Sequence, residues 1–355
     1  MSHSTSDVDF DWAPPDAVPA NAPIYMDARY QSLIAEHDGS DARVLLCRAG
    51  ERTAQLPLLV RDLGPRAREA YSAYGYGGFL GDPMLSADAI GGLRRHLADD
   101  GIVALFLRHS PFLANQAAMP GGLSRLNRLT YAADLQRDNS FAAFLARVPK
   151  KLRWSANFAL RAGLRVVFHP LSDGADEKIL AFYAQYRAVM EAKGTAGYHL
   201  FSEHFFLEHA RRLGGDCQLA EVTNDRGDFL GGAFFLVDRS GWVHYHLSAA
   251  PRETMKLRAM ELLILSALHR FGNAGYRALH LGGGHALDES DGLSRFKSKF
   301  ASHKLEFHIS TLVCDETSYQ RERARLPLAH PGFFLVADAR GNPPPAPADH
   351  LARNA

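Results

Sequence analysis

Between Cys217 and Val313 the chain sets out three strand-like segments, a long apolar helix, a strand, a short helix and a final strand, and this order restricts the fold more than any other feature. Cys217–Thr223, Phe229–Val237 and Trp242–Ser248 are rich in β-branched and aromatic residues and are separated by short polar turns. A helical pattern over Glu253–Phe271 follows, then Ala278–Leu281, a run of three glycines at 282–284, a short helix over Asp291–Phe300, and the strand Leu305–Val313. The order predicts a mixed, mainly antiparallel sheet flanked by helices, an α/β (α+β) domain.

The first half is a looser copy of the same scheme. Ala42–Gly50 and Thr53–Asp62 read as paired strands, followed by a glycine-aromatic loop, a helix around Ile90–Asp99, and the strands Ile102–Leu107 and Arg128–Asp134. From Ser140 to Gly163 the pattern is helical but broken at Pro149, which suits the first turn of a new helix and marks the domain junction. Ala175–Lys193 and Ser202–Leu213 read as helices. A chain of 355 residues holds two domains comfortably. They are placed at 22–148 and 149–313, with 314–335 packing back on the first. The Pro/Asp/Ser-rich 1–21 and the Pro-rich 336–355 are expected to be disordered.

Forty Lys and Arg against thirty-nine Asp and Glu exclude a globally basic nucleic-acid sleeve but not a local basic patch. Three cysteines without a CxxC exclude a disulfide framework and a zinc site. No apolar run reaches the ~18 residues that span a bilayer. Acids stand at the N-terminus where a signal peptide carries bases, so the expected compartment is the cytoplasm.

The segment LGGGHALDESDGLSRFKSKF, Leu281–Phe300, carries the most chemistry. With Asp291–Phe300 helical, Leu293, Phe296 and Phe300 share one apolar face. Lys297 falls within that stripe, whereas Arg295 and Lys299 fall opposite. Two readings stand: a lysine whose stem passes Phe296 to bring its head to water, or an ammonium held at the floor of a cleft where negative charge develops. The segment KKLRWSANFALR places Lys150, Arg153, Asn157 and Arg161 on one polar stripe without an acid, opposite Leu152, Ala156 and Ala159. Such a stripe suits phosphate or diphosphate; its plainer reading is a solvated helix face. In the loop Tyr71–Pro83, glycines including Gly77 and Gly78 permit close backbone approach, and Tyr74 and Tyr76 offer flat hydrogen-bonding rings. It reads as a ligand-lining loop or an aromatic turn, and matches no nucleotide fingerprint. Arg108, just past the strand Ile102–Leu107, joins the candidate substrate-binding set. His244 and His246 alternate on one strand face without a third ligand at defined spacing, so no metal is expected.

Four of these features together resemble the Fem family, the aminoacyl-tRNA-dependent transferases that build peptidoglycan cross-bridges, with relatives in natural-product pathways. They are the loop Tyr74-Gly75-Tyr76-Gly77-Gly78, the basic helix with Lys150 and Arg153 running to Gly163, the strand end Tyr245-His246-Leu247-Ser248, and Gly282-Gly283 with Phe296-Lys297. The resemblance spans Tyr25 to Ser318 and implies two tandem GNAT-like acyltransferase domains. It also implies that Lys297, with Phe296 beside it, stabilises the tetrahedral intermediate of acyl transfer, and that Arg153 holds a substrate diphosphate. The coiled-coil arm of some staphylococcal members is missing. The helix near Glu253 reads PRETMKLRAMELL, without the Gln/Arg-x-x-Gly-x-Gly/Ala signature that acetyl-CoA users need for the pyrophosphate.

The first expectation is therefore an amide-forming aminoacyltransferase without a metal or other cofactor. Its donor is the acceptor end of an aminoacyl-tRNA, and its acceptor is a small-molecule or peptide amine, with or without phosphate. The alternatives are an N-acyltransferase using acyl-CoA or acyl carrier protein, and a non-catalytic GNAT-like binding module that needs no inward lysine.

Overall fold

Strands numbered along the chain build the same six-membered pattern twice. The computed structural model describes residues 8–83, 85–120, 122–171, 175–192, 200–325 and 334–336. It divides into two units, Met1–Asn127 with Phe307–Ala355, and Arg128–Thr195 with His199–Glu306. Among the described residues no helix is long and apolar enough to cross a membrane.

In the first unit β1 (Asp9–Ala13), β2 (Asp41–Ala49), β3 (Arg52–Gly64) and β4 (Ala67–Tyr71) are antiparallel neighbours. β5 (Ile102–Arg108) lies parallel to β4, and the Ile309–Val313 part of β12 (His303–Val313) closes the sheet antiparallel to β5. Parallel neighbours require a crossover, which here carries helix α2 (Ala87–Asp99). Its Ile90, Leu93 and Leu97, at helical spacing, pack with Leu56, Leu58, Leu105 and Leu107 of the sheet. Helix α1 (Ala28–Asp38) is capped by Asp27, whose carboxylate accepts from Arg29 N, and ends on Gly39 at φ 64°.

In the second unit β7 (Arg165–Pro170), β8 (Cys217–Thr223), β9 (Phe229–Val237) and β10 (Trp242–Ala249) are antiparallel. β11 (Ala278–Gly283) lies parallel to β10 after the crossover helix α7 (Ala259–Asn273), and β6 (Ser124–Asp134) closes the sheet antiparallel to β11. On one face α7 and α4 (Lys150–Arg161) bury Leu152, Ala156, Ala159, Leu262 and Phe271 against Val243, Leu279 and Leu281. On the other, α5 (Asp176–Ala192) and α6 (Glu203–Leu213) pack Phe182 and Phe206 on Phe234. The closing strands are exchanged along the sequence. β6 follows β5 but completes the second sheet, and β12 follows β11 but completes the first.

Several sequence expectations change. The segment 1–21 is not disordered throughout: Asp9–Ala13 pairs residue by residue with Arg48–Val44 as an edge strand, its backbone groups satisfied on one side. Residues 1–7 and 337–355, and Lys193 of the expected helix, lie outside the described residues. The helix expected over Glu253–Phe271 breaks into a 3-10 turn, Arg252–Leu257, and α7, because Arg258 takes a left-handed backbone at φ 61°. The helix expected after Pro149 is α4, and it stands in the second unit with α3 (Phe141–Arg147) and the end of β6.

A buried ion pair anchors the first unit's last segment. Arg61 Nε donates to Glu69 Oε1 at 3.1 Å, and the same guanidinium lies 4.9 Å from the Tyr71 ring. The other Glu69 oxygen accepts from Val336 N at 2.8 Å. The guanidinium of Arg61 cannot shed its charge, so removing its partner strands a buried cation. Glu69→Gln is expected to destabilise the protein by about 3–5 kcal/mol, measured by urea unfolding. The double change Arg61→Met, Glu69→Leu should recover most of that loss.

Candidate active site

The two parallel strands of the second unit pair only at Trp242/Ala278, Val243/Leu279 and His244/His280, although β10 runs on to Ala249 and β11 to Gly283. Each is also irregular on its other side, β10 between Tyr245 and Leu247 and β11 between His280 and Gly282. Gly282 has φ 72°, the left-handed backbone that a bulge of this kind demands of glycine. The strands therefore part beyond His244 and His280, and the parting is where Lys297 points.

Lys297 stands on α8 (Gly292–Ser298), whose position is fixed by Asp291. That carboxylate accepts from Leu293 N at 2.9 Å, Ser294 N at 3.0 Å and Ser294 Oγ at 2.6 Å, capping the helix. It also accepts from His285 N and Ala286 N at 3.2 Å, which ties the preceding loop to the same point. These hydrogen bonds hold Asp291 well below the usual carboxylate range, against the opposing effect of burial, which is the largest single influence. At Gly284 a Cβ would run into Ser294 Oγ and Asp291, and at Gly283 it would stand 2.7 Å from Leu129 O. The glycine run thus lets β11, β6 and α8 approach one another.

The inward side of α8 is Ser294 and Lys297, not the expected apolar face: Leu293 is exposed, because the short helix meets the unit with its polar side. Phe296 is half-buried, 5.3 Å from the Phe300 ring. Lys297 is only 8% exposed, and its Nζ donates to Gly283 O at 2.7 Å and lies 6.0 Å from the Tyr245 ring. The snorkelling reading is therefore ruled out. Burial pulls the Lys297 ammonium down to about 8, with Asp291 opposing and the Arg128 cation adding to the fall. Arg128 Nη1 itself donates to Gly284 O at 2.7 Å. Burial pushes the Tyr245 hydroxyl up to about 12, so it stays a neutral phenol.

Five of the candidate residues gather here, Lys297, Phe296, Gly282, Gly283 and Tyr245, while His246 adjoins them only along the strand. His246 turns to the opposite face, its ring 5.4 Å from His209 on α6, as alternation along a strand requires. Burial is the first cause holding the His246 and His280 imidazoles neutral. Lys150 and Arg161 lie exposed on α4, and Arg153 Nη1 donates to Ala146 O at 2.9 Å, fastening α4 to α3. The Tyr74, Tyr76, Gly77, Gly78 and Arg108 group comes together in the first unit. There Arg108 Nε donates to Gly75 O at 2.9 Å, and Asn115 Nδ2 to Gly77 O and Phe79 O at 2.9 Å each. Tyr76 packs edge-on to Tyr25 and Phe307, and a Cβ at Gly78 would meet Asn115. Close packing and the positive φ of Gly75, Gly78 and Gly81 account for the glycines of that loop.

Sequence reasoning overlooked Arg128, Asp291 and Trp154. Arg128 lies within β6 and carried no spacing signal, but Asp291 three residues before Ser294 is a readable helix cap. Trp154 stands four residues after Lys150, in the middle of the polar stripe.

Residues 146–298 match a family described as an acetyltransferase (GNAT) domain. This segment has the GNAT fold. It holds β7 to β11 and the helices among them, including Lys297, while β6 lies outside the match. Two solved structures share the fold over most of the chain. FemX superposes with a TM-score of 0.62 at 14% identity, over 86% of this chain and 96% of its own. The C-terminal domain of a putative lysylphosphatidylglycerol synthetase from Agrobacterium fabrum gives 0.51 at 18% identity, over 79% of this chain and 86% of its own. No curated protein matches the chain in sequence. The GNAT fold thus rests on the sequence match, and the order β1-β2-β3-β4-β5-β12 of the first unit repeats β7-β8-β9-β10-β11-β6 of the second.

The depressed Lys297 sets a pH signature. Below about 8 the folded protein carries a buried ammonium that an unfolded chain would expose. Between about 8 and the ordinary lysine value of 10.5 the unfolded chain binds the extra proton, so stability rises with pH there. Lys297→Met is expected to be at least as stable as wild type at pH 7, with the advantage shrinking towards pH 10. Urea unfolding at the two pH values checks this, and a gap independent of pH would contradict it.

Proposed function

We propose that the protein is an aminoacyltransferase that moves an aminoacyl group from the ester of an aminoacyl-tRNA to an amine, forming an amide. The observation that carries the reading is the buried Lys297 ammonium at the parting of β10 and β11. One of its three N–H groups is given to Gly283 O, which fixes the direction of the others. The acceptor amine attacks the ester carbonyl, the C–N bond forms, and the carbonyl oxygen becomes an oxyanion facing the ammonium. Collapse breaks the ester C–O bond, and the proton lost by the amine leaves with the ribose hydroxyl. An activated ester requires only orientation and charge stabilisation from the protein. A lysine protonated below about pH 8 fits the second task.

The start of α7 favours an ester donor over acyl-CoA. No glycine opens that helix, and Glu261 in its first turn is buried, 3.3 Å from Arg258 Nη1. A carboxylate there already complements the helix dipole and repels a pyrophosphate. A binding module would have no use for a desolvated lysine. The structural neighbour named as a synthetase of lysylphosphatidylglycerol, an aminoacylated lipid, agrees with aminoacyl transfer on this fold.

Incubation with pooled aminoacyl-tRNA is expected to slow hydrolysis of the ester, and acetyl-CoA to leave the melting temperature unchanged. The reverse pair of results would transfer the assignment to the acyl-CoA alternative. Lys297→Met should lose roughly 10²–10³-fold in kcat with KM nearly unchanged; single-turnover acyl transfer within a few-fold of wild type would remove Lys297 from the mechanism. Arg153→Ala, and less strongly Lys150→Ala, should raise KM for a phosphate-bearing substrate with little change in kcat. A fall in kcat at saturation with KM intact would refute phosphate binding by that stripe.

A further inference from the structure

We infer that Trp154 and Phe158 on α4, with Arg258, form a stacking platform for an unpaired base at the single-stranded end of an RNA. The inference rests on the donor assignment above and gives it a location. Trp154 is 52% exposed, and its ring lies stacked on Phe158 with centroids 5.4 Å apart and planes 23° apart. The Arg258 guanidinium stands 6.0 Å from the Trp154 ring centroid. A large aromatic ring left half in water is costly on a helix whose other face packs Leu152, Ala156 and Ala159 in the core.

Charge selects the occupant. Lys150, Lys151, Arg153 and Arg161 all lie on α4, which has no acid, in a chain whose net charge is only +1. On the helix, Lys150 and Lys151 precede Trp154 by four and three residues, and Arg161 follows Phe158 by three. Flat π-surfaces set among cations are the means by which single strands are held, bases on the rings and phosphates on the charges. A lipid surface would call for a continuous apolar belt, whereas here the ring lies flat against Phe158 and is flanked by cations. The left-handed Arg258, immediately before α7, is what turns the chain so that its side chain reaches Trp154. It lies in the connection that leaves β10 at Ala249, the strand whose Tyr245 faces Lys297.

The test uses the full chain and a fluorescent 12-nucleotide single-stranded RNA ending in CCA, beside an abasic oligomer of equal length and phosphatidylglycerol vesicles. Trp154→Ala should weaken RNA binding about 5- to 100-fold, and Trp154→Phe by only a few-fold, while binding of the abasic oligomer stays as in wild type. Trp154 fluorescence should be quenched by the RNA; it is the exposed member of the three tryptophans, Trp12 and Trp242 being half-buried. An unchanged melting temperature verifies that the Ala variant is folded. Equal losses for RNA and the abasic oligomer, or no loss for either, would overturn the stacking platform while leaving the donor assignment standing. Loss of vesicle binding with RNA binding intact would replace it by a membrane contact. A wild-type protein that binds no RNA would remove both the platform and the tRNA donor.

Discussion

Two successive backbone carbonyls, Gly283 O and Gly284 O, are each met by a side-chain cation, Lys297 Nζ and Arg128 Nη1, where the strands of the second sheet part. A buried carbonyl must find a donor. Where neighbouring strands diverge, the ladder no longer supplies every one. Meeting that need with lysine and arginine places two positive charges at the end of β11, and the Arg128 cation makes the Lys297 ammonium harder to keep charged. Asp291 offsets part of that repulsion while capping α8, so one carboxylate serves both the fold and the electrostatics of Lys297. Gly283 and Gly284 are the condition for all of it, since side chains there would separate β11 from β6 and α8.

The parts of this arrangement that follow from periodicity were legible in the sequence. β8 and β9 lie where their apolar runs place them, residue for residue, and the strand–helix alternation gave the order from β8 to β12, whereas β1, α1, β4 and β7 went unread. The inward Lys297 was visible as one of two alternatives, and burial decided between them. What escaped has physical reasons. β1 is a five-residue edge strand whose alternating Phe10 and Trp12 pack on the first core, but it stands in a Pro/Asp/Ser-rich stretch whose composition reads as disorder. α9 (Glu316–Arg325) is almost wholly polar and buries chiefly Tyr319 and Glu322. The break at Arg258 involves neither glycine nor proline, so nothing in PRETMKLRAMELL announces a left-handed residue. Trp154 was passed over because the stripe on α4 was read for its charges alone.

Arg258 has two partners that draw it in different directions, the buried Glu261 at 3.3 Å and the ring of Trp154 at 6.0 Å. A left-handed backbone costs a non-glycine residue on the order of 1–2 kcal/mol. Such a conformation persists where surrounding contacts over-determine it. The ion pair at the first turn of α7 provides that support and at the same time occupies the helix terminus with an acid. The proposed ester donor and the proposed platform on α4 thus both bear on one residue of unusual geometry.

The exchanged closing strands also set the order in which the protein is completed during synthesis. β1 to β5 emerge first, but the strand that covers the open side of β5 is Ile309–Val313, made after the whole second sheet. The second sheet has no such delay, since β6 is already present when β11 arrives. The unit made first is therefore the last to close, and until then β5 presents an unpaired edge to the ribosome's surroundings.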